Sequence, residues 1–154
     1  MDPLVHGIFL VGKSLNNNLI KRVILWYNQS MNKIVVANWK MNPSSQKEAE
    51  VLFKESYSLA KNIKNTQIII CPPSPFLFIA KKFKNKKVML GSQNVSTETE
   101  GSYTGEVSPL MLKNMGVSYV IIGHGERRRL GETNKIVNTK ILNSLKFKLF
   151  QFYV

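Results

Sequence analysis

The sequence predicts an α/β fold built on a parallel sheet, and two observations support this prediction. Four short runs of consecutive apolar residues lie along the chain, at residues 34–37, 68–70, 88–90 and 120–122. None of them alternates apolar with polar residues, so each is typical of a strand covered on both faces, as in parallel sheets. Stretches with helical spacing separate the runs, and this alternation indicates right-handed crossovers between parallel neighbours.

The stretches between the apolar runs carry signals for helix starts. Ser45 followed by Glu48 forms a capping box ahead of the first helix. Pro75 and Pro109 each follow a serine and open the second and third helices, because proline is favoured in the first helical turn. Thr133 can cap a fourth helix. The side chains expected to face inward are Ala49, Leu52, Phe53 and Ala60, then Phe76, Ile79, Ala80 and Phe83, then Leu112 and Met115, and finally Ile136, Val137, Ile141 and Leu145.

The chain is expected to divide into an N-terminal extension and one folded domain. Its 154 residues leave room for one ordinary domain, which we place at residues 33–154 with a fifth strand beginning at Leu149. Residues 1–32 depart from the strand and helix order and contain a single acid, Asp2. A targeting leader, a disordered tail and a spurious extension before Met31 remain open as alternatives for them.

Charge and cysteine content limit the classes of partner. The net charge of +13 and the lysine-rich residues 81–87 suggest nucleic acid, but such charge supplies only sequence-independent affinity for phosphate. No recognised nucleic-acid motif accompanies it, so we predict no nucleic-acid partner. No apolar stretch reaches the length of a bilayer span, which predicts no membrane partner. The single cysteine, Cys71, adjoins an apolar run and is expected to be a buried free thiol.

Two polar segments follow directly after apolar runs. Residues 38–42 read Asn-Trp-Lys-Met-Asn, and residues 123–128 read Gly-His-Gly-Glu-Arg-Arg. Because the carboxyl ends of parallel strands meet at one edge of a sheet, Lys40 and His124 can converge on one small anion. The sequence therefore predicts a functional site at this edge, and we expect it to need neither a metal ion nor an organic cofactor.

Together with residues 93–109, these segments resemble three signatures of the triosephosphate isomerase family. The middle segment begins Gln-Asn and ends Gly-Ser-Tyr-Thr-Gly-Glu-Val-Ser-Pro. The three occur in the family's order and at its spacing, and the likeness runs from about residue 33 to about residue 149. The resemblance implies an incomplete TIM (β/α)8 barrel, with the first four βα units and the start of a fifth strand. A complete barrel takes about 250 residues.

The resemblance also implies a reaction, the interconversion of dihydroxyacetone phosphate and glyceraldehyde 3-phosphate through an enediolate. Lys40 matches the family's catalytic cation and Asn38 its substrate-contacting asparagine, so both are expected to bind the phosphorylated triose. His124 matches the catalytic electrophile, which is kept neutral by a helix amino terminus in this family. Glu126 matches a catalytic carboxylate that would orient Lys40, although a surface salt bridge with Arg127 or Arg128 is an alternative for it.

The resemblance implies a homodimer, and one residue departs from the family pattern. The loop at residues 101–107 resembles the family's dimer loop, in which Thr104 would contact the partner's pocket. Glu106 would pair with a partner arginine such as Arg127, and Met41 is also placed at the interface. Where the family usually has serine after the histidine, this chain has Gly125, and we expect a weakened site there.

The family's general base is a glutamate on a later strand, followed by a glycine-rich lid and further phosphate-binding loops. None of the 154 residues has that setting. Because general-base assistance contributes about 10² to 10⁴ in rate, we expect little or no isomerase activity from this polypeptide alone. The alternative is an inactive fragment or interaction module that pairs with a full-length homologue. We expect a cytoplasmic location, with import into a plastid-like organelle through residues 1–32 as the alternative.

Overall fold

The strands and helices follow the predicted order. The computed structural model describes residues 8–11, 33–83 and 87–154, with the backbone alone described at 8–11. Its elements are β1 Ile8–Val11, β2 Lys33–Asn38, α1 Gln46–Ala60, β3 Thr66–Cys71, a 3₁₀ helix Ser74–Lys82, β4 Val88–Ser92, α2 Pro109–Asn114, β5 Tyr119–Ile122, α3 Gly125–Arg129, α4 Asn134–Lys146 and β6 Phe150–Tyr153.

The described strands form one sheet whose spatial order is the chain order, and every neighbouring pair is parallel. Helices connect the strands from β2 onward, so the sheet curls into part of a (β/α) barrel. The predicted incomplete TIM barrel and its fifth strand after Leu149 are therefore confirmed. This arrangement brings the carboxyl ends of β2 to β6 to one rim.

Three helices begin at the residues that the sequence predicted as caps. In each, a side-chain oxygen accepts a hydrogen bond from a backbone N–H in the first turn, which otherwise has no partner. The bonds are Glu48 N to Ser45 Oγ at 3.3 Å, Met111 N to Ser108 Oγ at 3.2 Å and Ile136 N to Thr133 Oγ1 at 3.3 Å. Local sequence thus sets where α1, α2 and α4 start.

Two apolar clusters cover the two faces of the sheet. The larger lies between the sheet and the helices and includes Phe53, Leu77 and Leu112. The smaller lies on the inner face of the barrel and consists of Val36, Ile69, Cys71, Ile121 and Phe152. Cys71 is free and buried, as predicted, and burial raises the pKa of its thiol above the ordinary value.

Two details of the helices differ from the prediction. The segment Ser74–Lys82 is a 3₁₀ helix, and its tighter turn also buries Leu77, which the sequence analysis did not place inward. Ile79 and Ala80 are buried as expected, and Phe76 and Phe83 are partly buried against the core. The inward face of α4 includes Val137 and Ile141 as expected, but not Leu145. Leu145 is 55% exposed, while Lys140 is buried, because Lys140 has an acidic partner described below.

One strand lies within the predicted N-terminal extension. Ile8–Val11 runs parallel to β2 and extends the sheet at that edge, which the sequence analysis did not predict. The rest of residues 1–32, and with it the choice between a leader and a tail, lies outside the described residues. No helix in the described part of the chain is long and apolar enough to cross a membrane.

Candidate active site

The two predicted functional segments lie at the carboxyl-terminal rim of the sheet. Lys40 is two residues beyond the end of β2, and His124 is two residues beyond the end of β5. In parallel barrels this rim is where substrates bind, because the loops that follow the strands converge there. Asn38, the last residue of β2, is buried beside Cys71 at the end of β3.

The backbone of Lys40 is held in a conformation that L-residues rarely adopt. Its φ is 54°, in the left-handed region where the β-carbon crowds the backbone. Two side chains fix this turn. Asn38 Oδ1 accepts from Lys40 N at 2.9 Å, and Gln93 Nε2 donates to Lys40 O at 2.8 Å and to Cys71 O at 2.9 Å. The lysine is therefore presented from a constrained loop.

The carboxylate of Glu126 contacts both of the other predicted catalytic residues. Lys40 Nζ donates a hydrogen bond to Glu126 Oε1, and His124 Nδ1 lies 3.5 Å from Glu126 Oε2. The hydrogen bond from Lys40 is the main reason why the pKa of Glu126 lies below its ordinary value, with partial burial acting against it. The positive charge of Arg129 lowers this pKa further. The side chains of Lys40 and Glu126 are 24% and 43% exposed, so the pair faces the open rim.

The hydrogen bonding of His124 identifies its tautomer. His124 is the N-cap of α3, and its Nδ1 accepts the backbone N–H of Glu126 at 3.2 Å. The longer contact from Nδ1 to the Glu126 carboxylate would favour a protonated Nδ1. The backbone bond decides, because it is shorter and a backbone N–H can only donate. With Nδ1 accepting, Nε2 is the ring nitrogen left to donate a hydrogen bond at the rim.

A second Lys–Glu pair lies buried next to this rim. Lys140 Nζ donates to Glu132 Oε1, and both side chains are only 4% exposed. Lys140 Nζ also donates to Asn94 Oδ1 at 2.7 Å, and Arg127 Nε donates to Glu132 Oε1 at 3.2 Å. Burial alone would raise the pKa of Glu132, but Lys140 and Arg127 together bring it below the ordinary value. Glu132 Oε2 has no hydrogen-bond partner in the described structure.

The residues predicted for a dimer interface lie at the surface. Thr104 and Glu106 are exposed in the loop before α2, and Met41 is 92% exposed beside Lys40. Arg127, expected to pair across the interface, binds Glu132 within the chain. At Gly125 a β-carbon would meet no heavy atom within 4 Å, so the serine usual in the family would fit without steric conflict.

Sequence reasoning did not assign a role to Gln93, Asn94, Glu132 or Lys140. Gln93 and Asn94 begin one of the three motif segments and follow β4 at the rim, a position that could have flagged them. A lysine inside a helix is ordinarily exposed, so the sequence gives no signal that Lys140 is buried. Within the described ranges, no three His, Cys, Asp or Glu residues are grouped as a metal site requires.

Comparison with known proteins gives one consistent answer. A sequence profile described as "Triosephosphate isomerase" matches residues 33–152. A protein of that name from Dictyoglomus thermophilum is 44% identical over 123 residues, covering 79% of this chain and 49% of the relative. Proteins of the same name from Caldanaerobacter subterraneus and Trichodesmium erythraeum are each 42% identical over 75% of this chain. The match covers 47% of the first relative and 49% of the second. The chain therefore spans about half the length of the curated relatives it matches.

Proposed function

The chain belongs to the triosephosphate isomerase family, and from this premise we propose that it supplies one half of a site that interconverts dihydroxyacetone phosphate and glyceraldehyde 3-phosphate. The observation that carries the proposal is the shared carboxylate of Glu126, which contacts Lys40 from one strand end and His124 from another. A cation and a hydrogen-bond donor are thereby grouped at one rim. A three-carbon phosphate that forms an enediolate requires this combination.

Lys40 is suited to bind negative charge while it stays paired. An ammonium group has three N–H donors, and Glu126 occupies one of them. The remaining donors are available to the substrate phosphate and to the oxygen that becomes negative in the enediolate. We propose that Glu126 fixes the direction of the lysine, because a flexible four-carbon side chain would otherwise lose entropy when the substrate binds.

His124 and Asn38 are proposed to contact the uncharged part of the substrate. The proton on Nε2 of His124 can be donated to the carbonyl oxygen that is polarised as the adjacent carbon loses its proton. Asn38 uses its Oδ1 for the backbone of Lys40, so its amide nitrogen is the group left to donate to substrate. No change of charge is required of either residue before the reaction begins.

The proton at carbon needs a base that we propose is supplied by residues outside this sequence. In the family it is a glutamate on a later strand, and this chain spans about half of its curated relatives. We therefore expect little or no turnover from residues 1–154 alone. Loss of a general base lowers rates by roughly 10² to 10⁴.

The test is to complete the barrel. The 154-residue chain is assayed alone and after fusion to the half of the Dictyoglomus thermophilum protein that it does not match. We expect turnover from the fusion only, and loss of that turnover in fusions carrying His124→Asn or Lys40→Met. A folded fusion without turnover would contradict the proposal. Ordinary turnover from the chain alone would contradict the part that assigns the base elsewhere.

We also propose that the completed protein is a homodimer, joined through the loop at residues 101–107. The support is the exposure of Thr104 and of Met41, since a methionine at 92% exposure is an apolar side chain without cover in the described structure. Sedimentation of the fusion is expected to give a dimer, and Thr104→Arg with Met41→Glu is expected to give a monomer. A monomeric unmutated fusion would contradict this proposal.

For location, we propose the cytoplasm, with import into a plastid-like organelle through residues 1–32 as the competing outcome. Fluorescent fusions of the whole chain and of residues 33–154 separate the two. Organelle signal that depends on residues 1–32 would contradict the cytoplasmic proposal.

A further inference from the structure

We propose that the buried pair of Glu132 and Lys140 positions the Lys40–Glu126 pair at the rim. The inference deepens the proposed function, because Lys40 and Glu126 are two of its proposed catalytic residues. It concerns the geometry of the protein without substrate, so its test does not depend on turnover.

Burial of the Glu132–Lys140 pair costs free energy, because both charged groups lose contact with water. Two opposite charges that are each only 4% exposed have lost most of their hydration, and their attraction offsets that loss only with good geometry and further hydrogen bonds. The further bonds come from Asn94 and Arg127. Nonpolar side chains of similar volume often give equal or better stability at such a position. A pair of charges at this position can instead hold polar neighbours in place, which nonpolar side chains cannot do.

The Glu132–Lys140 pair is connected to the rim through two sets of contacts, one made by Glu132 and one made by Lys140. Through Arg127, Glu132 is joined to α3, the helix that also carries Glu126. Arg128, in the same helix, donates to the backbone oxygen of Glu132 at 3.1 Å. Two consecutive arginines thus tie this short helix to the residue that holds Lys140.

The other direction leads to Lys40. Lys140 donates to Asn94, whose neighbour Gln93 donates to the backbone oxygen of Lys40. Lys40 in turn binds Glu126, which closes a ring of contacts around the rim. In this ring the Glu132–Lys140 pair connects the two supports of the Lys40–Glu126 pair, which are the loop after β4 that holds Lys40 and the helix that carries Glu126. Glu132 and Lys140 are thus positioning residues, which act on the substrate only through others.

The test replaces both charges at once. The variant Glu132→Gln with Lys140→Met keeps side-chain volume and net charge, so direct long-range effects on the rim largely cancel. The matched control makes the same two changes, Glu50→Gln with Lys82→Met, in an exposed pair on α1 and the 3₁₀ helix. Circular dichroism and thermal melting first establish that each variant is folded.

The readout is the titration of the Glu126 carboxyl carbon, followed by ¹³C NMR in the whole chain. In the unaltered protein we expect a midpoint below the ordinary 4.5, since Lys40 is held beside it. In the Glu132/Lys140 variant the midpoint is expected to move up towards 4.5, and the ¹⁵N shifts of His124 are expected to move towards a mixture of tautomers. The control should reproduce the unaltered protein in both measurements.

A folded Glu132/Lys140 variant with an unchanged Glu126 midpoint would overturn the inference, because the pair would then serve stability alone. If that variant does not fold, Arg127→Lys decides. It keeps the charge at a side chain that is 41% exposed but removes the bond from Nε to Glu132, and we expect a smaller upward shift of the same midpoint. No shift in folded Arg127→Lys would overturn the inference equally.

Discussion

Two Lys–Glu pairs near the rim are built from the same chemical groups but differ widely in burial. The Lys40–Glu126 pair faces the rim with side chains 24% and 43% exposed, and the Lys140–Glu132 pair is enclosed at 4% each. Water screens the first pair, so it contributes little to folding but leaves its ammonium accessible to a ligand. The second pair is inaccessible and strongly coupled to the fold. Burial, more than residue type, separates an accessible ion pair from a structural one.

The same substitution, made separately at each of the two lysines, tests whether burial determines how much each pair contributes to stability. We expect Lys140→Met to lower the free energy of unfolding by about 3 kcal/mol, because it leaves the buried Glu132 carboxylate with only Arg127 for compensation. Lys40→Met should cost about 1 kcal/mol or less, as removal of an exposed ion pair does. Urea unfolding of both variants measures the difference. Equal losses would show that burial does not separate the pairs.

For the pair at the rim, we expect substitution of Glu126 to change turnover more than it changes stability. In the completed fusion, Glu126→Gln removes the charge that holds Lys40, and we expect kcat/KM to fall by roughly 10- to 100-fold, the equivalent of a charge-assisted hydrogen bond. Stability should change little. Steady-state kinetics with glyceraldehyde 3-phosphate measure it, with Glu50→Gln as the control. Unchanged kinetics would remove Glu126 from the proposed mechanism.

A smaller difference is expected in the pH dependence of stability, to which Glu132 contributes. Its pKa in the folded protein lies below the ordinary 4.5, so its ionised form stabilises the fold above pH 4.5, and this contribution is lost as the pH falls through the folded value. We expect unfolding midpoints in urea to drop below pH 4.5, and to drop less in the Glu132→Gln, Lys140→Met variant. High salt should leave this difference in place, since buried pairs are weakly screened. A difference abolished by salt would contradict the burial of the pair.

The smallest expected effect concerns Gly125, between His124 and Glu126. Because a β-carbon there meets no heavy atom within 4 Å, we expect Gly125→Ser to stabilise the protein by roughly 0.5 kcal/mol through reduced backbone entropy. In the fusion it should also raise turnover modestly. Thermal melting and kinetics check both expectations. A destabilised variant would show that the glycine is required by the backbone around His124.

Most of the fold and the Lys40–Glu126 pair could be predicted from the sequence, because the signals for them are local. Apolar runs and the caps at Ser45, Ser108 and Thr133 depend on neighbouring residues, so the order and starts of most elements could be predicted. The Lys40–Glu126 pair was expected from resemblance, since both residues lie in recognisable segments.

The buried pair could not be predicted because its partners meet only in three dimensions. Helical spacing suggested Leu145 as an inward residue, whereas Lys140 takes the buried position and Leu145 is exposed. Lysine is favoured inside only when a carboxylate is already there, and the position of Glu132 depends on the loop that joins α3 to α4. Spacing along one helix contains no information about that loop.

The left-handed backbone at Lys40 sets the stability of the turn against the proposed role of the lysine side chain. With φ at 54°, the β-carbon of Lys40 adds about 1 kcal/mol of steric strain that glycine would not have. Lys40→Gly is therefore expected to fold about as well, because relief of this strain offsets the lost ion pair, and to lose the ammonium that faces the open rim. Glycine would be the more robust choice for this turn, so the proposed contact of the Lys40 ammonium with substrate would come at a cost in folding free energy.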